Sequence, residues 1–165
     1  MTYSGRLYRA LNPVYGREPM SGRGAEFYGG RFNPKGMPAL CASTSILTAL
    51  REANQVGDLQ PTTLVTYRAE IEAVFDAGDA TALTAMGLDA AALADPTWRD
   101  QMRDHGEAHT QRFAREMFAQ GYNGLLVPSF AKGAAAIGDL NLVLWRWGDT
   151  APSRLELIED EQRLG

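Results

Sequence analysis

Hydrophobic and polar residues alternate in short stretches along the chain, as they do in strands that bury one face. The first such stretch runs from Arg6 to Ala10 and is stopped by Asn12-Pro13. Residues 39–42 form an apolar run that predicts a short buried strand. The same patterns predict four further strands, at residues 62–71, 125–127, 140–147 and 154–158.

A different period marks the segment after the second predicted strand. Apolar residues recur there at helical spacing and predict the buried stripe of a helix, formed by Ile46, Ala49, Leu50 and Ala53. Thr44 or Ser45 can cap its N-terminus. At 3.6 residues per turn, Thr48 and Glu52 share a separate polar face with Ser45, so we expect Glu52 to point away from the core.

The remaining segments hold further helices and one long loop. Asp95-Pro96-Thr97 opens a helix, and another is predicted from about residue 105 to residue 120, closed by Gly121. Residues 76–95 are rich in Ala, Asp and Gly and are interpreted as a variable, partly helical insertion. Six glycines and three prolines within residues 13–36 predict a long functional loop.

Length and composition are those of a water-soluble protein. A chain of 165 residues fits one domain, which we assign to residues 1–165. It is 45% hydrophobic and 22% charged, and no apolar run reaches the roughly 18 residues of a membrane span. The first ten residues lack the apolar stretch of a signal peptide, and the single Cys41 cannot form an internal disulfide. We therefore expect a cytoplasmic protein that does not bind a membrane.

Charge is distributed unevenly along the chain. The net charge is -4, yet residues 1–40 carry six Arg and Lys side chains against Glu18 and Glu26. A positive segment of this kind forms either a solvated basic face or a site for an anion. Five of the six cations are Arg, whose planar fork matches phosphate oxygens in pairs. A small anionic ligand therefore fits better than direct binding to nucleic acid, which favours a strongly basic surface.

The candidate chemistry lies in residues 29–36, a glycine-rich segment around Arg31, and in the helix that ends near Glu52. A guanidinium held in a turn can bind a diphosphate, and a single carboxylate can stabilise developing positive charge. Together they suit a substrate that carries a diphosphate and a cationic leaving group. Nicotinamide adenine dinucleotide (NAD) is such a substrate.

Five pieces of the sequence, in this order and spacing, resemble the RES-domain toxins of bacterial toxin-antitoxin pairs: Tyr8-Arg9, Gly-Gly-Arg-Phe-Asn-Pro at 29–34, Ala-Leu-Arg-Glu at 49–52, Val127-Pro128-Ser129 and Asn-Leu-Val-Leu at 141–144. The resemblance covers residues 6 to about 158. It implies an α+β domain similar to ADP-ribosyltransferases, with small central β-sheets flanked by helices.

The resemblance also implies an activity and its residues. The family is named for an Arg, a Glu and a Ser, which match Arg31, Glu52 and Ser129 as the catalytic residues. The implied activity is cleavage of NAD, as substrate, at the bond between nicotinamide and ribose, with ADP-ribose passed to phosphate, water or a protein. The implied partner is an antitoxin with a helix-turn-helix domain. The residues expected to bind NAD are Arg9, Tyr28, Arg31, Asn33, Ser43 and Glu52, and no metal is expected.

The chemistry of these residues agrees with that activity. The N-glycosidic bond to a cationic nicotinamide breaks through an oxocarbenium-like transition state, which the carboxylate of Glu52 can stabilise. Nicotinamide leaves neutral, so no strong general acid is needed. Arg31 and Arg9 can hold the diphosphate or the ribose by charge-assisted hydrogen bonds. Ser129, just beyond a strand end, can fix Glu52 or the ribose through its hydroxyl.

Each assignment has a purely structural alternative. Glu52 is also consistent with an exposed helix carboxylate, Arg31 with a loop brace and Ser129 with a turn residue. Cys41 occupies a position where the family usually has an aromatic residue, so a ring near nicotinamide would have to come from Tyr8, Tyr28 or Phe32. We expect Cys41 itself to be a small core residue and not a nucleophile.

Other motifs give no better function. His105 and His109 could share a helix face, but their spacing is not that of a zinc protease and no third ligand is evident. Lys35-Gly36 does not complete a phosphate-binding loop of the Walker type. Two alternatives stay open, a non-catalytic module that binds a dinucleotide and a toxin that targets nucleic acid. The acceptor of ADP-ribose, any protein target and the stoichiometry with the antitoxin are also open.

Overall fold

The computed structural model describes residues 1–54, 61–135 and 137–158, which form helices around a seven-stranded sheet. The strands are β1 (Tyr3–Leu11), β2 (Leu40–Ser43), β3 (Thr63–Ile71), β4 (Val74–Asp76), β5 (Gly124–Pro128), β6 (Leu140–Leu144) and β7 (Ser153–Leu157). Their order in the sheet is β4-β5-β6-β2-β1-β3-β7. The β4–β5 pair is parallel and the other neighbours are antiparallel. The α+β prediction is confirmed.

Six of the seven strands lie where the sequence predicts them, with changes at their ends, whereas the short strand β4 was not predicted. Strand β1 is longer than expected at both ends, because it pairs with β3 from Tyr3 to Leu11. Strand β6 ends at Leu144 and does not continue to Trp147. The backbone N–H groups of Trp145 and Arg146 turn instead to the carbonyl of Asn123, at 2.8 and 3.2 Å.

Six α-helices are present in the described ranges: α1 (Arg23–Tyr28), α2 (Ile46–Ala53), α3 (Ala80–Ala85), α4 (Ala90–Ala94), α5 (Trp98–His105) and α6 (His109–Ala119). The prediction of a long loop over residues 13–36 is wrong in part, since it contains α1 and a 3-10 turn at Pro13–Tyr15. The helix predicted over residues 105–120 is also shorter, because Gly106 takes a left-handed conformation that ends α5.

Two hydrophobic clusters cover the two faces of the sheet. Along β6, Leu142 and Leu144 belong to one cluster and Val143 and Trp145 to the other, so the side chains alternate between faces. Helix α6 packs Phe113, Ala114 and Met117 into the second of these clusters. Leu83 of α3 and Leu93 of α4 are buried in the same cluster. Residues 76–95 are therefore part of the core as well as partly helical.

Helix α2 starts as predicted but turns a different face inward. The Ser45 hydroxyl caps it by accepting a hydrogen bond from the Thr48 backbone N–H at 3.1 Å. Ile46 and Ala53, predicted to be buried, are exposed, whereas Thr48 is fully buried. The polar face packs inward because it finds hydrogen-bond partners there, described below. The expectation that Glu52 points away from the protein interior is therefore wrong.

None of the helices in the described ranges combines the length and the apolarity that crossing a membrane requires.

Candidate functional site

A cavity of about 280 Å³ opens between the sheet, α2, the start of α5, residues 30–33 and the loop that follows β5. Its charged and amide side chains are Arg9, Arg31, Asn33, Glu52, Arg99 and Asn141. Its apolar wall includes Phe32, Cys41, Trp98, Val127, Pro128, Phe130 and Val143. Arg31 and Glu52, which are twenty-one positions apart in the sequence, line the same cavity.

Glu52 is held in the cavity by two hydrogen-bond donors from different elements. Ser129, directly after β5, donates its hydroxyl to Glu52 Oε1. Asn141 of β6 donates its Nδ2 to the same oxygen at 2.6 Å. Together the two donors fix the direction of the Glu52 carboxyl group.

The orientation of the Asn141 amide is set by Ser43 of β2. The Ser43 hydroxyl donates to Asn141 Oδ1 at 2.7 Å, and the two residues are register partners across β2 and β6. Because Oδ1 is engaged by a donor, Nδ2 must face Glu52. Ser43 is buried and does not itself line the cavity.

Asp139 ties the helix of Glu52 to the loop of Ser129. Its carboxylate accepts hydrogen bonds from the Thr48 hydroxyl at 2.6 Å and from Arg51 Nη1 at 2.8 Å, both on α2. Its backbone carbonyl accepts the Ser129 N–H at 2.8 Å. The hydrogen bonds from Thr48 and then from the Ala135 N–H lower the pKa of Asp139. This buried acid explains why the polar face of α2 turns inward.

The segment that carries Arg31, residues 29–36, forms a tight turn, named here the arginine turn. Gly30 N–H donates to the Asn33 carbonyl at 2.9 Å, and the reverse bond is 3.3 Å. A Cβ on Gly30 would lie 2.6 Å from Asn33 Oδ1, so the turn requires glycine there. Gln111 of α6 holds the same two carbonyls from the other side, at 2.9 and 3.2 Å.

Asn33 lines the cavity but is engaged in holding the arginine turn. Its Nδ2 donates to the carbonyls of Ala25 and Met37, at 2.8 and 2.9 Å, and it is only 3% exposed. Phe32 is buried, and its carbonyl accepts the Trp145 indole N–H at 2.9 Å. The backbone around Arg31 is thus fixed by side chains from the core.

Arg31 is fixed in the lining of the cavity. Its Nη1 donates to the carbonyls of Leu93 and Asp95, at 3.1 and 2.8 Å. Its guanidinium carbon lies 4.8 Å from the Phe130 ring centre and 5.9 Å from that of Trp98. Burial, and next the charge of Arg99, lower the pKa of Arg31, whereas Asp95 and Glu52 act in the opposite direction. The guanidinium remains a cation at any physiological pH.

Arg9 and Cys41 line the floor of the cavity. Arg9 Nη1 points to the carbonyls of Pro19 and Ser21, at 3.3 and 3.4 Å. Cys41 is exposed to the cavity, so the expectation of a core position is wrong; its neighbours Leu40 and Ala42 face the core instead. Desolvation by the surrounding protein is the main cause that raises the pKa of the Cys41 thiol to about 12, and the negative charge of Glu52 is the next. At neutral pH Cys41 is a neutral thiol and a poor nucleophile.

The charges define what the cavity can bind. Among the described residues, three guanidinium groups and one carboxylate line it, so this part of its lining is positive overall. The carboxylate lies among hydroxyl and amide donors, and Arg31 and Arg99 lie beside aromatic rings. A ligand that is anionic in one part and develops positive charge in another is complementary to this arrangement.

Comparison with known proteins identifies the family. The model of the RES domain matches residues 6–164, nearly the whole chain. The chain belongs to the RES domain family.

A solved structure agrees in fold. One chain of the crystal structure of the M. tuberculosis MbcT-MbcA toxin-antitoxin complex superposes with a TM-score of 0.67 at 23% sequence identity. The match covers 96% of this chain and 84% of that chain. The comparison with curated proteins gives no match.

In this RES domain, the predicted site residues take three kinds of position. Arg9, Arg31, Asn33 and Glu52 line the cavity, and Ser129 and Ser43 support Glu52 directly or through Asn141. Tyr28 lies on the surface of α1, 69% exposed, and does not line the cavity. Of the three rings considered for nicotinamide, only Phe32 is among the described lining residues.

Sequence reasoning missed five residues of this RES domain site: Trp98, Arg99, Phe130, Asp139 and Asn141. Asn141 lies within a motif that carried the family resemblance, and Phe130 directly follows Ser129, so both could have been found. Nothing in the local sequence marks Asp139 or Arg99, because their roles depend on contacts more than sixty residues away along the chain.

The two histidines do not form a site. His105 ends α5 and His109 begins α6, so they do not share a helix face as considered from the sequence. Within the described ranges, no group of three or more His, Cys, Asp or Glu side chains could hold a metal ion.

Proposed function

We propose that this RES domain is the toxin of a toxin-antitoxin pair and that it cleaves NAD at the bond between nicotinamide and ribose. The observation that carries the proposal is the carboxylate of Glu52, fixed by Ser129 and Asn141 in the same cavity as Arg31. Membership of the RES domain family supports it. We further propose that residues 1–165 form one RES-type domain and act in the bacterial cytoplasm.

Glu52 is the residue that stabilises the transition state. As the bond from ribose C1′ to the nicotinamide nitrogen breaks, its electron pair leaves with nicotinamide and positive charge develops on the ribose. A carboxylate held by two donors cannot rotate away from that charge, which is the condition for electrostatic catalysis. An oxygen of phosphate, water or a protein side chain then bonds to C1′, and the acceptor releases its proton where it carries one.

Arg31 binds the diphosphate. A guanidinium forms paired hydrogen bonds with phosphate oxygens, and the carbonyls of Leu93 and Asp95 hold it in place before the ligand arrives. Arg9 supplies a second cation on the floor of the cavity. Phe32 provides an aromatic wall, which takes the place of a ring at Cys41.

The test is incubation of the purified protein with NAD, with and without phosphate, while nicotinamide and labelled ADP-ribose are followed. We expect nicotinamide release, with the label recovered as ADP-ribose phosphate, free ADP-ribose or a modified protein. Glu52→Gln keeps the shape of the side chain but removes its charge, and should lower turnover by about 100-fold or more. Glu116→Gln, in an exposed pair with Arg112, is the matched control and should leave turnover unchanged.

Two other results would replace this proposal. Binding of NAD without release of nicotinamide would indicate a non-catalytic dinucleotide-binding module. Retardation of RNA that weakens steeply with salt would indicate a toxin that targets nucleic acid.

We also propose an antitoxin partner with a helix-turn-helix domain that covers the cavity. The similar structure comes from a toxin-antitoxin complex, which supports this partner. Expression of the chain with its neighbouring gene should yield a stable complex that no longer releases nicotinamide. A complex that retains full activity would overturn the proposed inhibition.

A further inference from the structure

Two guanidinium groups that line the cavity lie near the same indole ring. The guanidinium carbon of Arg99 lies 4.3 Å from the ring centre of Trp98, and that of Arg31 lies 5.9 Å from it. Trp98 is only 7% exposed, so the ring is a fixed support for both cations. Arg99 itself is exposed and lines the cavity.

The surroundings of Arg99 differ from those of its neighbour on α5. Among the residues that the structure describes, Arg99 takes part in no ion pair. Arg103, one turn further along the same helix, binds Asp100 at 3.3 Å and Asp104 at 3.1 Å. Within the described ranges the charge of Arg99 therefore has no carboxylate partner, although Asp100 and Asp104 lie on its own helix.

The positive charges of Arg31 and Arg99 repel each other across the cavity lining. Burial is the larger cause that lowers the pKa of Arg31, and the charge of Arg99 lowers it further. An anion bound between two cations removes this repulsion and gains attraction from both. The pair is thus better suited to a ligand with two negative groups than to one with a single negative group.

We propose that Arg99, supported on Trp98, binds the second phosphoryl group of the substrate's diphosphate while Arg31 binds the first. The inference rests on the proposed function, since it concerns the same substrate. A mononucleotide has one phosphoryl group and gains nothing from the second guanidinium. Arg99 is therefore the residue that makes the site prefer a dinucleotide over a mononucleotide.

The test compares Arg99→Gln with Arg103→Gln in the full chain, using NAD and nicotinamide mononucleotide as substrates. For Arg99→Gln we expect KM for NAD to rise about tenfold, the effect of losing one charge-assisted hydrogen bond, with kcat unchanged. KM for the mononucleotide should change less than about twofold by the same argument. Arg103→Gln should change neither value. Arg99→Lys, which keeps the charge but not the planar fork, should fall between wild type and Arg99→Gln.

Two results would overturn the inference: an unchanged KM for NAD, or an equal rise of KM for both substrates. Failure of the proposed function is distinguishable, because calorimetry measures binding without turnover. If the wild type binds NAD but releases no nicotinamide, the same comparison of variants is made on Kd. A tenfold loss of NAD affinity in Arg99→Gln then supports the inference although the proposed reaction fails. If the wild type binds neither nucleotide, both proposals fail.

Discussion

The surroundings of Glu52, named here the acid end of the cavity, differ in construction from those of Arg31 and Arg99, named the cationic end. At the acid end, Glu52, Asn141 and Ser129 hold one another through bonds between side chains. At the cationic end, Arg31 is held by backbone carbonyls, and Arg31 and Arg99 lie against aromatic rings. The hydrogen bonds from Ser129 and Asn141 fix the direction of Glu52 Oε1. A guanidinium group that lies against a flat aromatic ring can shift along the ring face with less loss of contact. The comparison indicates that the acid end sets the geometry of the reaction and the cationic end accommodates a flexible anionic group.

The largest effect is expected at the acid end, when both donors to Glu52 are removed. Ser129→Ala combined with Asn141→Ala leaves the carboxylate free to rotate, so kcat for nicotinamide release should fall by about 100-fold with KM changed little. Steady-state kinetics with NAD measure this. A rise in KM with kcat intact would show that the two residues bind the ground state, and the contrast between the two ends would be lost.

The reactivity of Cys41, which lines the cavity, depends on the charge of Glu52. The thiol pKa of about 12 means that little thiolate exists at neutral pH, while the higher basicity of that thiolate partly compensates. Iodoacetamide should therefore react about 50-fold more slowly with the folded protein than with the same single thiol in urea. Because Glu52 contributes to the shift, Glu52→Gln should speed the reaction of the folded protein. Equal rates in the folded and unfolded protein would contradict the prediction.

At the cationic end, Arg31→Gln should act mainly on binding. Loss of charge-assisted bonds to the diphosphate should raise KM for NAD by about 30-fold, with a smaller change in kcat. Arg146→Gln is a suitable control, because Arg146 also bonds backbone carbonyls and lies 3.8 Å from the Phe118 ring centre, yet it does not line the cavity. Kinetics together with thermal unfolding separate the loss of binding from loss of fold. A pure kcat effect of Arg31→Gln would reverse the assignment of the two ends.

Asp139, which supports the acid end, should have the smallest effect on activity. Asp139→Asn weakens the tie between α2 and the Ser129 loop, so kcat should fall by about tenfold as Glu52 shifts.

The stability difference between wild type and Asp139→Asn should depend on pH. Because the pKa of Asp139 is lowered in the folded state, its contribution is complete above the unfolded value of about 3.9 and is lost as pH falls through the folded value. The difference in unfolding free energy between wild type and Asp139→Asn should stay constant from about pH 8 to about pH 5 and shrink below about pH 4. A constant difference down to pH 2 would show that the charge of Asp139 is irrelevant to the tie.

The fold was predictable wherever local pattern and packing agree. Each strand predicted from the order of apolar and polar residues is present in the structure. Such strands can be recognised locally because the backbone of a strand turns successive side chains to opposite faces. Helix α2 was recognised from its cap and spacing, but its buried face was misjudged. Predicting the buried face from an amphipathic pattern requires that polar side chains face water. Thr48 is buried instead, because Asp139 accepts a hydrogen bond from its hydroxyl.

The candidate site was predictable in part for a similar reason. Arg31, Glu52 and Ser129 stand in recognisable motifs, and the structure places Arg31 and Glu52 in one cavity with Ser129 bonded to Glu52. Tyr28 was proposed for its chemistry and its place beside the arginine turn, yet it lies on an exposed helix face. Composition says which groups are present near a turn, but the direction of a side chain depends on the helix that carries it.

The sequence by itself determined the family, six of the seven described strands and the chemical identity of the reacting groups, because these depend on local order and residue type. Only the tertiary structure decided which groups meet. Arg99 reaches the cavity because α5 packs Trp98 beside the arginine turn, and Asp139 reaches α2 because the loop after β5 folds back over it. Contacts between residues distant along the chain arise from packing of whole elements, and no local pattern encodes them.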